Sequence, residues 1–240
     1  MTKVVTMDCY FCRRNLKYQN MRLQISTSPS TSPIPFNYQQ KLTGVLHKWL
    51  GENNQEHGEI SLYSFSWLQN TMVGKDGLSC PKGANWYISF YDVKRAKEIL
   101  ERIRTNPEMF CGMDVEEVTI IETPDLSNRE LFFLGSPILI KRSENGKTTE
   151  YGYENPDSGK LLVETLQTKM HKAGLPDDNT LQIEFDLSYE KKKKKLVWYD
   201  GISSKANMCP IILKGNNTTK QFAWNVGIGS CTGIGFGSIY

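Results

Sequence analysis

Apolar residues in the first half of the chain recur at strand and helix spacings in turn. Alternation over Met21–Thr27 predicts a strand, while Leu42, Val45, Leu46 and Trp49 recur at the spacing of one helix face. Further strands are predicted at residues 62–68, 86–91 and 115–121, and a second helix at 93–104. The order strand–helix–strand–strand–helix–strand is that of a ferredoxin-like unit.

The second half shows a similar order less clearly. Segments 181–188 and 196–200 flank a run of lysines, and we expect them to form a hairpin with the lysines at its tip. The other predicted elements are a strand at 131–141, a helix at 161–172, a strand at 208–213, a helix at 217–226 and a closing strand at 236–240. We therefore predict an α+β protein of two tandem ferredoxin-like (RRM-like, βαββαβ) domains, 21–124 and 125–240, after an N-terminal extension at 1–20.

Composition limits the function classes only weakly. The 240 residues carry 29 basic and 26 acidic side chains, a net charge of +3, which permits nucleic acid binding without requiring it. No apolar run reaches the roughly 18 residues of a membrane span, and the first twenty residues lack the apolar core of a signal peptide. Six dispersed cysteines do not indicate a disulfide scaffold. We expect a cytoplasmic protein with reduced thiols and no membrane partner.

A glycine-rich segment lies close to the C-terminus. Its glycines are Gly227, Gly229, Gly233, Gly235 and Gly237. Glycine adopts positive φ and lets the backbone approach a ligand, and successive N–H groups can form an anion-binding concavity. The segment follows a predicted helix, whereas a dinucleotide fingerprint precedes one. Two interpretations remain open: a phosphate-binding loop, or a turn into the last strand.

The spacing of these glycines resembles the glycine-rich loop of the CRISPR-associated family-six endoribonucleases. Three other segments resemble that family as well: MRLQI at 21–25, PFNYQ at 35–39 with LTGVL at 42–46, and SPILIKR at 136–142. The likeness spans residues 21–240. One difference is that the loop often carries Lys or Arg in the family, where this chain has Ser230, Cys231 and Thr232.

The resemblance implies an enzyme that cuts precursor CRISPR RNA within its repeats. Metal-independent attack by the 2′-hydroxyl would leave a 5′-hydroxyl and a 2′,3′-cyclic phosphate, so we expect no metal and no cofactor. Repeat RNA is the expected partner, with other CRISPR effector subunits as further candidates, for a monomer or a homodimer. The alternatives are a non-catalytic RNA-binding subunit and a small-molecule phosphate-binding enzyme.

Three histidines are available for proton transfer. His57 lies in the predicted loop after the first helix, where the resemblance places the catalytic histidine; otherwise it is a solvated loop residue. His47 points away from the apolar stripe of its helix. The resemblance gives His47 an assisting catalytic or positioning role, and the alternative is a surface residue. His171 is expected to complement a helix C-terminus.

Two further groups could contact RNA. Lys191, Lys192, Lys193, Lys194 and Lys195 form the strongest charge cluster, which binds RNA phosphates or is simply a solvated turn. Lys141 and Arg142 are weaker candidates of the same kind. Tyr63, Phe65 and Trp67 alternate on one strand face, where they either stack bases or belong to the core.

Overall fold

The computed structural model describes residues 3–4, 21–51 and 60–240. In the described part of the first half, helices α1 (Gln39–Leu50) and α2 (Val93–Thr105) accompany seven strands. The strands are β1 (Lys3–Val4), β2 (Met21–Thr27), β3 (Tyr63–Phe65), β4 (Met72–Val73), β5 (Leu78–Ser79), β6 (Asn85–Phe90) and β7 (Val115–Ile121).

The main sheet of the first half has the order β1-β7-β2-β6-β3. Four of these strands pair antiparallel in the ferredoxin-like order, and β1 adds to the edge by pairing parallel with β7. This confirms the predicted fold of the first half. Helix α2 begins where the Asp92 side chain accepts a hydrogen bond from the Lys94 N–H at 2.8 Å, and its apolar stripe is buried. Helix α1 ends at Gly51, whose φ is 86°.

The second half contains helices α3 (Ser158–Lys172) and α4 (Asn217–Val226) and seven strands. The strands are β8 (Leu131–Phe132), β9 (Lys141–Glu144), β10 (Lys147–Glu150), β11 (Gln182–Phe185), β12 (Lys193–Tyr199), β13 (Ile202–Met208) and β14 (Ile211–Lys214).

A second antiparallel sheet has the order β11-β14-β8. The C-terminal residues extend it, because the Phe133 N–H donates to the Tyr240 carbonyl at 3.0 Å and the Gly135 N–H to the Ser238 carbonyl at 2.8 Å. The chain therefore folds as two tandem ferredoxin-like domains. The first sheet ends at Ile121 and the second begins at Leu131, and the boundary at 124–125 stays a prediction.

The hairpin predicted around the lysine run is wrong. Strand β11 pairs with β14, whereas β12, which contains Lys193 to Lys195, pairs with β13. The turn of that hairpin is Asp200–Gly201, with φ of 48° and 74°, a two-residue turn that matches strand twist. The lysines thus lie along a strand and before it, not at the tip. The strand predicted at 208–213 is likewise two strands, β13 and β14, separated at 209–210.

The two domains are joined by a buried arginine on β2. The Arg22 guanidinium donates to the Trp224 carbonyl at 2.7 Å, the Ile239 carbonyl at 2.8 Å and the Ser89 hydroxyl at 2.6 Å. It also lies 3.3 Å from the centre of the Trp224 ring. A single side chain of the first sheet therefore holds both the end of α4 and the C-terminal strand segment. Among the described helices, none is both long and apolar enough to cross a membrane.

Candidate functional site

The glycine-rich loop is packed between the two domains. All five of its predicted ligand glycines are buried. A Cβ at Gly235 would lie 2.7 Å from the Phe65 ring, and one at Gly229, whose φ is 84°, would lie 2.5 Å from the Leu139 carbonyl oxygen. Close backbone packing and positive φ thus account for glycine at these positions without any ligand.

Side chains of the first domain hold the loop through its carbonyl groups. Trp67 Nε1 donates to the Gly235 carbonyl at 2.9 Å, and the Tyr63 hydroxyl donates to the Gly233 carbonyl at 3.3 Å. Gln39, at the start of α1, donates to the Ile234 carbonyl. Tyr63 and Phe65 are buried, so the core interpretation of this aromatic strand is the one that applies to them.

The loop has a second side that faces a pocket. The pocket has a volume of about 710 Å³ and lies between α3, the start of β9 and residues 229–232, with Ile60 and Ser61 at one wall. Of the five glycines, only Gly229 lines it. Within the described part of the chain, the N–H groups of Gly229, Cys231 and Thr232 donate to no backbone carbonyl. These donors are available to an anion in the pocket.

Two cationic side chains belong to the same pocket. Lys141 is exposed, and its N–H donates to the Ser230 hydroxyl at 3.3 Å, which joins β9 to the loop. Arg142 donates to the Leu161 carbonyl at 2.7 Å and pairs with Glu164 at 3.3 Å. The guanidinium is thereby oriented by α3 while about a quarter of the side chain stays exposed. The pocket combines backbone donors with positive charge, as a phosphate site requires.

A buried lysine forms the wall of the pocket under the loop. Lys169 of α3 donates to the Thr232 hydroxyl at 2.9 Å, the Val226 carbonyl at 3.1 Å and the Gly227 carbonyl at 3.3 Å. Burial lowers the pKa of its ammonium to about 7, an effect that Cys231 opposes. Lys169 and Arg22 were absent from the predicted site. Sequence spacing gave no signal for either, since each is one polar residue in an otherwise ordinary strand or helix pattern.

The three histidines considered for catalysis lie in different parts of the chain relative to the pocket. His57 lies outside the described residues. The next described residue is Ile60, which lines the pocket and whose carbonyl accepts a hydrogen bond from Lys172 at 3.0 Å. His47 is half-buried near the end of α1 and does not line that pocket. His171 lies in the last turn of α3, at the helix C-terminus where it was expected, and pairs with Asp177 at 2.6 Å.

Three lysines of the run have partners within the protein, although Lys194 and Lys195 are also exposed. Lys194 pairs with Glu154, and Lys192 donates to the Tyr189 carbonyl at 3.3 Å. The Lys195 ammonium lies 4.2 Å from the centre of the Trp67 ring, where burial, and then the charge of Lys193, lower its pKa. Lys191 and Lys193 are exposed.

Comparison with known proteins decides the family. A model of the C-terminal region of the CRISPR-associated protein Cas6 matches residues 121–240, which is half of the chain. The protein belongs to the Cas6 family. The residues matched by the Cas6 model include the whole glycine-rich loop and the pocket residues from β9 and α3. No curated protein matches the sequence.

Solved structures similar to this Cas6 family member cover almost the whole chain. A Cas6-related protein from Pyrococcus furiosus superposes with a TM-score of 0.79 at 21% identity, over 92% of this chain and 98% of its own. A RAMP protein described as binding different RNA substrates gives 0.78 at 20%, over 91% and 98%. A CRISPR-associated Cas6 protein gives 0.77 at 20%, over 92% and 98%. These similarities support the tandem ferredoxin-like fold.

Proposed function

We propose that this protein is a metal-independent endoribonuclease that cleaves precursor CRISPR RNA within its repeats. The observation that carries the proposal is the pocket between α3 and the loop. It brings the N–H groups of residues 229, 231 and 232 together with Lys141 and Arg142, beside the chain that follows His57 in the sequence. Glu164 also lines the pocket and pairs with Arg142, and a phosphodiester would supply acceptor oxygens to the N–H groups and a negative charge to Lys141.

The chemistry needs two proton transfers. A base takes the proton of the 2′-hydroxyl as that oxygen attacks the adjacent phosphorus. The bond from phosphorus to the 5′-oxygen then breaks, and an acid protonates the departing oxygen, leaving a 2′,3′-cyclic phosphate and a 5′-hydroxyl. Imidazole, with an ordinary pKa near 6.5, can do either at neutral pH. We assign one transfer to His57, with His47 assisting.

Position in the sequence supports the role of His57. It stands three positions before Ile60, and both Ile60 and Ser61 line the pocket. This proximity in sequence, together with the family resemblance, is the basis for the assignment.

Incubation of the protein with its own repeat RNA in excess EDTA tests the proposal. We expect one internal cut per repeat, with a 2′,3′-cyclic phosphate on the upstream product. Tight binding without any cut would instead identify the non-catalytic RNA-binding subunit. Absence of both binding and cleavage, together with a nucleotide-dependent shift in melting temperature, would favour a small-molecule phosphate-binding enzyme.

The lysine run is proposed to bind RNA phosphates beyond the pocket. Replacing Lys191 and Lys193 by glutamine should weaken binding and reduce the slope of log K against log salt by about 2, roughly one per phosphate contact. These two are the informative positions because the other three lysines have partners within the protein.

The matched control removes two cations from α2, Lys94→Gln with Arg104→Gln. Both residues are exposed on a helix that does not line the pocket. The control is expected to keep the wild-type slope. Equal salt slopes for the lysine variant and the wild type would show that the lysine run is a solvated surface without RNA contact.

A further inference from the structure

One ammonium group closes the part of the loop that faces the pocket. Lys169 bonds to the carbonyls of Val226 and Gly227 at one end of the segment and to the Thr232 hydroxyl at the other. The residue lines the pocket, but only 3% of it is exposed. All three of its donors are used on the loop and on the end of α4.

Such a contact restrains the segment between its two ends, together with a few hydrogen bonds within it. Within residues 228–231, the Ile228 N–H donates to the Gly237 carbonyl at 2.8 Å and the Ser230 N–H to the Leu139 carbonyl at 2.7 Å. The Ser230 hydroxyl also accepts from the Lys141 N–H at 3.3 Å. The Gly229, Cys231 and Thr232 N–H groups donate to no backbone carbonyl of the described residues. Cys231 is also in the left-handed region, with φ of 60°, which an unrestrained cysteine avoids. The loop conformation therefore depends on bonds from outside it.

A buried lysine with no carboxylate partner among the described residues is costly, which argues for a specific role. Removal of the ammonium from water is only partly offset by hydrogen bonds to neutral oxygens. Two of those oxygens belong to the C-terminal end of α4, where the helix dipole favours a cation.

We propose that Lys169 is a positioning residue for RNA: by closing the segment from Gly227 to Thr232, it keeps the loop N–H groups directed at the pocket so that they bind a phosphodiester. This inference rests on the proposed RNA-binding function. It concerns a residue that acts through the loop, without contact to the substrate.

Lys169→Met is the direct test, with Lys220→Met as its matched control. Lys220 is also 3% exposed and also on a helix, but its ammonium donates to the Ser127 carbonyl at 3.1 Å, outside the loop and the pocket. Both replacements remove a buried ammonium and keep an unbranched side chain of similar length. Both are expected to lower the stability of the protein. Only the Lys169 variant should weaken repeat RNA binding, by about 10-fold.

Two further measurements distinguish a positioning role of Lys169 from a direct contact between its charge and an RNA phosphate. Lys169 is buried and releases no counterions, so its loss should leave the salt slope of RNA binding at the wild-type value, unlike the loss of a phosphate-contacting lysine. In the absence of RNA, amide hydrogen exchange in residues 228–233 should become faster in Lys169→Met and stay unchanged in Lys220→Met.

The loop side of the contact provides a second variant pair in case Lys169→Met does not fold. Thr232→Val keeps the shape of the side chain and removes the oxygen that accepts from Lys169, while Thr232→Ser keeps that oxygen. We expect valine to weaken RNA binding and accelerate loop exchange more than serine does.

The outcomes distinguish the two proposals. Wild-type RNA affinity and wild-type loop exchange in Lys169→Met, or equal effects of valine and serine at 232, would overturn the positioning role while leaving RNA binding in place. A wild-type protein that binds no repeat RNA would overturn the proposed function and this inference together.

Discussion

Replacement of His57 by alanine is expected to slow cleavage of repeat RNA by about 10²–10⁴-fold, the usual contribution of a positioned general acid or base. The dissociation constant of the RNA should stay unchanged, because the loop and the pocket cations remain. Single-turnover cleavage in EDTA, measured beside a binding titration, separates the two effects. His47→Ala should reduce the cleavage rate less, since its role is to assist.

His171→Ala is the appropriate control for these variants. His171 is exposed and paired with Asp177 at 2.6 Å, and it does not line the pocket. Its loss should leave cleavage at the wild-type rate. Undiminished cutting by His57→Ala would remove the assigned mechanism, even for a protein that cleaves its repeat.

Arg22→Leu is expected to lower the free energy of unfolding by about 3–5 kcal/mol. Leucine fills part of the space but leaves the Trp224 and Ile239 carbonyls and the Ser89 hydroxyl without their donor. An unsatisfied buried acceptor costs about 1–3 kcal/mol. Burial lowers the pKa of this guanidinium to about 9, which still leaves it charged at neutral pH. Urea unfolding followed by tryptophan fluorescence measures the loss.

Arg104→Leu is the matched control for that variant. Arg104 is exposed on α2 and pairs with Glu101 at 3.2 Å. A surface pair of this kind contributes little, so the change should be under about 0.5 kcal/mol. A loss of similar size in both variants would show that Arg22 does not join the domains in the way proposed.

Several elements of both domains could be predicted because they carry strong local signals. The alternation of Met21–Thr27 and Val115–Ile121 yields strands with those same bounds, and α4 spans Asn217–Val226 as predicted. In each case, the apolar pattern and the flanking turn residues agree. Local pattern suffices where every residue that determines an element lies within it.

The lysine run shows where prediction from local sequence pattern fails. Five like charges in sequence suggest a solvated turn, yet Lys193 to Lys195 lie in β12. The strand forms because Asp200–Gly201 makes a two-residue turn and because β13 supplies a full register of partners. The pairing partner of a strand is a non-local property, which charge pattern does not reveal.

The glycine loop shows the same limit for the site. Its spacing led to the family, and the family model confirms that. Spacing did not indicate that Gly235 packs on Phe65 or that Gly229 alone of the five reaches the pocket. Glycine permits both close packing and anion binding, so residue type leaves the choice open.

The sequence by itself determined most element types of the first domain, their ferredoxin-like order and, through the glycine spacing, the family. The tertiary structure alone decided which strands pair, which side of the loop is accessible, and that Lys169 and Arg22 are buried hydrogen-bond donors. The physical reason is range: periodicity and turn chemistry act over a few residues, whereas Arg22 meets Ile239 across 217 positions. Contacts of that range exist only once the two domains have packed together.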